Sequence, residues 1–344
     1  MELDHLSIKR MIEIIRFSIS SLFWMSLWFF GLVVLISFCL RWWPGDQLRN
    51  VRLLNYIMPW LLIGLVPALI IAGLSGRNRL AATLFAPIIL IILNYLPLFL
   101  NCTKDVNFNG RPLKVMSYNV WRENRNISAV AEVIKKEHPD ILLLQEINKG
   151  RIQILIEELK TLYSDGKPHL AYAPQMLQAV VSRYPMTPLE ASLHKGRAQE
   201  VRLATPFGPI TVINIHAYKF GWLRRHQQMT ALLGEDVATA KNPVILGGDF
   251  NTSDQSQTYR LVDRYLKNAH WDAGCGFGFT FPSSSSRLKR KFSIPPLIRI
   301  DHIFYSSQFI PRNARTLNKS GGSDHLPVVA EFIINGSSIS KSKM

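Results

Sequence analysis

The chain has 344 residues, enough for one or two domains, with 40 Lys plus Arg against 24 Asp plus Glu and a net charge of +16. Three cysteines, Cys39, Cys102 and Cys275, exclude a disulfide framework and lack metal-type spacing. The basic excess favours anionic partners, either lipid head groups or nucleic acid, and does not choose between them.

The first 103 residues are apolar in blocks. Phe17 to Leu40, Leu53 to Gly76 and Leu80 to Thr103 contain no Asp, Glu, Lys, Arg or His, and each runs 24 residues. A helix needs about 20 apolar residues to cross the hydrocarbon core, so three membrane spans are predicted. Pro59, Pro67, Pro87 and Pro97 are compatible with that, since proline is tolerated in membrane helices. Trp42 and Trp43 beside Arg41 have the composition of an interfacial anchor. The short link Arg77–Arg79 predicts a tight antiparallel hairpin of the second and third spans. The first stretch is too long for a signal-peptide core, and no small-x-small cleavage site follows it. It is therefore predicted to be a retained anchor.

From residue 104 the composition is that of a soluble domain, to about 336, with a low-complexity tail at 337–344 predicted to be disordered. The first 100 residues hold eight basic and four acidic residues, leaving 32 against 20 from Asn101 onward, or +12 of the +16.

Along this domain, short apolar runs each close on a polar residue. "LKVMSYNV" (113–120) alternates so that Val115, Ser117 and Asn119 share a face. "ISAVAEVIKKEHPD" (127–140) has helical spacing and is stopped by Pro139. "ILLLQE" (141–146) is a buried strand ending in Gln145 and Glu146. "AVVSRYP" (179–185) and "QEVRLATPFGPITVINIH" (199–216) have a hairpin-connected look, and the latter puts Asn214 and His216 on one face. "RHQQMTALLGEDVATA" (225–240) is predicted as a helix. In "VILGGDFNTS" (244–253) a buried strand meets two glycines that permit close approach, then Asp249 and Asn251 on one face. These two side chains fit a phosphate or metal site, or equally a turn cap. "IRIDHIFYS" (298–306) is a strand carrying Asp301, and "GGSDHLPVVAEF" (321–332) is a turn with Asp324 and His325 running into a last strand. Alternating helices with hairpin-like strands predict a mixed α/β sandwich.

Asn119, Glu146, His216, Asp249, Asn251, Asp301, Asp324 and His325 each have an ordinary structural explanation when taken singly. Strands ending at one sheet edge would bring them into one cleft. That set suits phosphate-ester hydrolysis, in which hard oxygen ligands without cysteine select Mg²⁺ or Mn²⁺.

In order, "SYNV", "QE", "NIH", "GDFN", "IDHIFYS" and "SDHLPV" resemble the motifs of the endonuclease/exonuclease/phosphatase superfamily, as does "SRYP" (182–185). The resemblance covers roughly 112–334 and implies a DNase I-like four-layer α/β sandwich, with two mixed sheets flanked by helices, preceded here by three transmembrane helices. It also implies roles. Glu146 with Asn119 would hold the divalent metal, and Asp324 would sit at its edge. His325, oriented by Asp301, would act as base or charge-stabilising partner. Asp249 would position or deprotonate the attacking water, while Asn251 and His216 would contact the phosphate. Every motif residue is present, which argues against a dead enzyme.

Two stretches bear on substrate. "YKFGWLRRHQQ" (218–228) mixes Tyr218, Phe220 and Trp222 with Arg224 and Arg225. "SSSSRLKRKFSIPPLI" (283–298) concentrates Arg287, Lys289, Arg290 and Lys291 beside Phe292, Ile294 and Leu297. Such stretches are ordinarily solvated loops; they also suit an anionic membrane surface or, equally, single-stranded nucleic acid. Spans that confine the domain near a bilayer raise the effective concentration of lipid-linked phosphates. A membrane-anchored phosphohydrolase or phosphodiesterase acting on a lipid phosphate or pyrophosphate is therefore expected, with a membrane-tethered nuclease as runner-up and a non-catalytic binding module third. No obligate protein partner is implied. Five flanking positive charges on one side of the spans against six on the other do not fix topology. The uncharged spans and basic N-terminal tail favour an integral cell-membrane protein with its catalytic domain outside.

Overall fold

The computed structural model describes residues 2–100, 102, 112–163, 168–189, 198–283 and 295–334. The basic run Arg287–Lys291 with Phe292 and Ile294, and the tail 337–344, lie outside them. The chain divides into two compact units, Met1–Tyr95 and Leu96–Met344.

In the first unit, helices α1 (Glu2–Leu40), α2 (Arg49–Ile57), α3 (Leu62–Leu74) and α4 (Asn78–Tyr95) include three stretches long and apolar enough to cross a membrane: Ser7–Leu40, Arg49–Leu74 and Asn78–Tyr95. Most of their large apolar side chains face outward, among them Phe17, Leu22, Met25, Phe29, Ile63 and Leu74. The few inward ones, such as Leu65, Leu84 and Ile91, meet along helix–helix seams. Pro67 and Pro87 sit inside α3 and α4. The last apolar stretch does not form one helix from 80 to 103. Helix α4 stops at Tyr95, and a separate short helix opens at Pro97. At 18 residues, α4 is about 27 Å long.

The second unit begins with a short helix α5 (Pro97–Leu100), held by Gly276 N–H donating to the Leu98 carbonyl at 2.9 Å and by Phe99 edge-on to Phe277 at 5.1 Å. Cys102 is disulfide-bonded to Cys275 across 173 residues of sequence. This corrects the expectation drawn from cysteine spacing: folding brings the two Cα atoms to 4.7 Å, a proximity invisible in the linear pattern.

Twelve strands form two six-stranded sheets among the described residues. They are β1 (Leu113–Asn119), β2 (Ile141–Gln145), β3 (His169–Ala173), β4 (Gln178–Ser182), β5 (Met186–Pro188), β6 (Ala198–Thr205), β7 (Gly208–His216), β8 (Val244–Asp249), β9 (Lys267–Asn268), β10 (Asp301–Tyr305), β11 (Phe309–Thr316) and β12 (Val328–Ile334). One sheet runs β11-β12-β1-β2-β4-β3 and the other β5-β6-β7-β8-β10-β9, each mixing parallel and antiparallel pairs.

Alternation along the strands supplies three apolar layers. Val115, Leu143, Val180, Val212, Ile245 and Ile303 pack between the sheets. Met116, Leu142 and Leu144 face α6 (Ile127–Glu137) and α7 (Lys149–Leu159), through Val130, Ile134, Ile152 and Leu155. Ile213, Ile215, Leu246 and Phe304 face α8 (Trp222–Leu232) and α9 (Gln257–Asp263), through Met229, Leu232, Tyr259 and Val262. The result is the expected four-layer sandwich. Each fully buried aliphatic side chain contributes about 1.5–3 kcal/mol.

Two local expectations change. The stretch 199–216 is a hairpin of β6 and β7, but β4 pairs with β2 and β3 in the other sheet. Helix α8 starts at Trp222 and passes into a π-helical turn at Leu233–Val237, where Gly234 interrupts the 3.6-residue pattern.

Behind α5, a small helix α10 (Ala269–Ala273) carries His270, whose Nε2 bonds the Gly276 carbonyl at 2.8 Å. Burial, reinforced by the charge of Arg299, pushes this ring down to about 3. Its unfolded value is about 6.5. The fold thus binds fewer protons than the unfolded chain, so the contribution is complete above pH 6.5 and is lost as pH falls from there towards 3. Between pH 6.5 and 5, His270→Gln should lose stability less steeply than the parent, by a difference that grows towards about 1.4 kcal/mol per pH unit. Parallel pH–stability curves for the two proteins would contradict this.

Candidate active site

The sheet registers collect the motif residues. Parallel pairing sets Asn119 opposite Gln145, the residue before Glu146, and His216 opposite Asp249, while antiparallel pairing sets Asp301 opposite Asp249. Two glycines make the approach possible at β8. A Cβ on Gly248, whose φ is +147°, would lie 1.9 Å from the Ile215 carbonyl oxygen, and one on Gly247 would lie 2.6 Å from Leu143 of the other sheet.

At the centre, His325 Nδ1 and Asp301 Oδ2 are 2.9 Å apart, both buried. His325 Nε2 then faces Asp249 Oδ2 at 3.8 Å and Asp324 Oδ1 at 4.0 Å. Burial works against a charged ring, but Asp301 and Asp249 outweigh it and raise His325 to about 10. Burial raises the Asp249 carboxyl, against the opposing charge of His325. Asp324 is raised to about 6 by burial, partly offset by His325. Burial also penalises Glu146, yet the Arg122 N–H at 2.8 Å and the charge of His216 hold it below its ordinary range. His216 Nε2 lies 3.7 Å from both Glu146 Oε1 and Asp249 Oδ2.

All eight predicted residues thus converge, but two amides are oriented differently from the expectation. Asn119 Oδ1 accepts from Trp121 N–H at 3.0 Å, so its Nδ2 faces Glu146 at 3.3 Å and Asp249 at 3.0 Å, as a donor to carboxylates. Asn251 directs Nδ2 to the Ala217 carbonyl at 3.1 Å and to Asp249 Oδ2 at 3.3 Å, and its backbone N–H reaches Asp249 Oδ1 at 2.8 Å. Both amides hold the Asp249 carboxylate in place.

The donor set fits a hard cation. Glu146, Asp249, Asp301 and Asp324 crowd together, and buried Asp301 Oδ1 and Asp324 Oδ1 accept no hydrogen bond among the described residues. Ligand atoms of Asp249, Asp301 and His325 lie within 4.8 Å of one another. Oxygen-rich, cysteine-free surroundings of this kind suit Mg²⁺ or Mn²⁺.

Several supports were not singled out in the sequence. Arg151, in the first turn of α7, donates from Nη1 and Nη2 to the carbonyls of Val120, Trp121, Arg122 and Glu146, at 3.1–3.3 Å. Trp121 and Glu146 have φ of 60° and 59°, and Asn251 has 49°. Such left-handed backbone in non-glycine residues costs on the order of 1–3 kcal/mol each and gathers at functional sites. Ser323 Oγ donates to the Asn119 carbonyl at 2.6 Å and accepts from His325 N–H at 3.1 Å, tying the first motif to the last. Its place inside "SDH" was the available signal; Arg151 had none. Arg151→Ala should weaken divalent-metal binding 10–100-fold by loosening the turn that carries Glu146. Isothermal titration with Mn²⁺ would check it, and unchanged affinity would contradict it.

Residues 116–325 match the Endonuclease/Exonuclease/phosphatase family. A curated relative, the UPF0294 protein of Erwinia tasmaniensis, is 24% identical over 241 residues, covering 67% of this chain and 84% of its own. An endonuclease/exonuclease/phosphatase structure from Bacteroides vulgatus superposes with a TM-score of 0.52 at 17% identity, covering 65% of this chain and 100% of its own. The D. rerio TDP2 structure, complexed with single strand DNA product, gives 0.50 at 16% identity, covering 65% and 100%. At such identities these structures establish the fold alone. With the family match spanning more than half its length and the motifs meeting at one sheet edge, the chain belongs to the endonuclease/exonuclease/phosphatase family of phosphoester hydrolases.

Proposed function

We propose that this protein is a membrane-anchored, Mg²⁺- or Mn²⁺-dependent phosphohydrolase or phosphodiesterase whose substrate is a lipid-linked phosphate or pyrophosphate. The observation that carries the chemistry is the buried Asp301–His325 pair facing Asp249 beside Glu146 and Asp324.

A divalent cation held by Glu146 and Asp324 would polarise the scissile phosphate and offset its charge. The chain's own groups do the rest. Asp301 fixes the His325 ring and its Nδ1 proton, leaving Nε2–H for an oxygen that gains negative charge. Asp249, oriented by Asn119 and Asn251, accepts a proton from the attacking water; its raised affinity for protons suits that task. His216, between Glu146 and Asp249, contacts the phosphate. A raised His325 favours the charge-stabilising role over that of base.

The three apolar stretches support the membrane anchor. The Cys102–Cys275 bond supports an external catalytic unit, because disulfides persist in oxidising compartments. On denaturation without reductant, Cys39 alone should react with maleimide, and Cys102 and Cys275 only after reduction. Reaction of all three without reductant would remove this support for an external unit.

The second reading, a tethered nuclease, draws on the basic excess from Asn101 onward. Full-length protein in detergent with Mg²⁺ should release phosphate from a polyprenyl pyrophosphate or the phosphorylated head group from a phospholipid, and His325→Gln should do so at least about 10²-fold more slowly. Cleavage of oligonucleotide or plasmid DNA with no lipid turnover would replace the first reading with the second.

A further inference from the structure

The loop joining β7 to α8 leaves the site at Ala217, whose carbonyl holds Asn251 Nδ2. It turns at Gly221, where φ is 86°. Buried Arg225 gathers the carbonyls of Tyr218 at 2.9 Å and Lys219 at 3.3 Å, and Trp222 stacks on His226 with ring centroids 5.1 Å apart. The backbone is thus tied down while two apolar side chains are turned out: Phe220 is 82% exposed and Leu223 56%. Lys219 and Arg224, both exposed, flank them. The loop follows directly on His216, 3.7 Å from Glu146 and Asp249, and on Ala217, which holds Asn251, so it borders the cleft as a lip.

A held turn that presents Phe and Leu to water beside two cations needs an occupant that is apolar within and anionic at its surface. The boundary between lipid head groups and acyl chains has that layering. Single-stranded nucleic acid matches less well. It calls for successive stacking faces, and of the two turned-out side chains only Phe220 offers one, since Leu223 has none, while Trp222 already lies against His226.

We propose that this lip sits in the head-group layer of an anionic bilayer, with Phe220 and Leu223 at the acyl boundary and Lys219 and Arg224 against lipid phosphates. The site would then take its substrate from the membrane surface. The proposal rests on the lipid-substrate reading above and adds the surface that recognises the lipid.

Phe220→Cys in the full chain, with Cys39→Ser, can carry an environment-sensitive NBD label in nanodiscs of phosphatidylcholine alone or mixed with phosphatidylglycerol. Ile154→Cys, 54% exposed on α7, is the comparison position. The expected result is blue-shifted emission, protected from iodide, at 220 in the phosphatidylglycerol discs, weaker protection in neutral discs, and an aqueous signal at 154 in both. Emission at 220 that is as aqueous and as quenched as at 154 overturns the proposal. So does an equal shift at both positions, or a change at 220 only when an oligonucleotide is added. Retained thermal melting of the labelled chain excludes misfolding. Turnover of bis(p-nitrophenyl) phosphate by the parent protein in the same discs is read separately. Its absence counts against the proposed function, whereas its presence with an aqueous label at 220 counts against the lip alone.

Discussion

His325→Gln is expected to lower turnover of a phosphodiester by about 10²–10⁴-fold, the range that a positioned proton-holding group contributes. Glutamine keeps a polar group near Asp301 and so limits the cost of leaving that buried carboxylate unpaired. Asp301→Asn should cost nearly as much, by removing the charge that fixes and protonates the ring. It should also move the alkaline limb of the pH–rate profile to lower pH, because Asp301 is the main group that raises His325. The two substitutions act on one unit, so the double variant should be little worse than either single one. Additive losses would mean that the residues serve separate steps.

The second large effect is on stability. Gly248→Ala places a Cβ 1.9 Å from the Ile215 carbonyl oxygen, at a φ of +147° that side chains rarely adopt. Backbone stands on both sides, β7 with its parallel register and β10 with its antiparallel one, so no flexible side chain can yield. A loss above about 4 kcal/mol is expected, in the exceptional class for single substitutions. That corresponds to a fall of about 10 °C in the melting temperature of the catalytic unit. Gly247→Ala meets a single Leu143 methyl and should cost less. Equal melting temperatures for the two variants would show that β8 can shift away from Ile215.

This contrast explains why "VILGGDFNTS" was readable. Gly247, Gly248, Asp249 and Asn251 report a local demand for close strand approach and a shared face, and local demands are written in adjacent residues. The six motif segments were legible for the same reason, since each strand carries its site residue at its own end. What was not legible depends on distant partners. The bond between Cys102 and Cys275 arises because α5 and the 274–278 loop fold together. Arg151 earns its place from carbonyls that become available only once Trp121 and Glu146 adopt left-handed backbone. The amides of Asn119 and Asn251 lie in the cluster, but their hydrogen-bond partners could not be read from the motifs. Which atom faces the cleft is decided by Trp121 N–H and the Ala217 carbonyl, neither of which a motif specifies. The third apolar stretch continues in composition to Thr103, while helix α4 ends at Tyr95 and a separate helix opens at Pro97.

The most direct test of metal-assisted phosphoester hydrolysis at this cluster is the rate of bis(p-nitrophenyl) phosphate cleavage by metal-stripped full-length protein as Mg²⁺ is added back. No turnover in chelator, saturable recovery with Mg²⁺, and weakened recovery in Glu146→Gln are the expected results. Undiminished turnover in chelator, or recovery that is indifferent to Glu146, would contradict the assignment of this site.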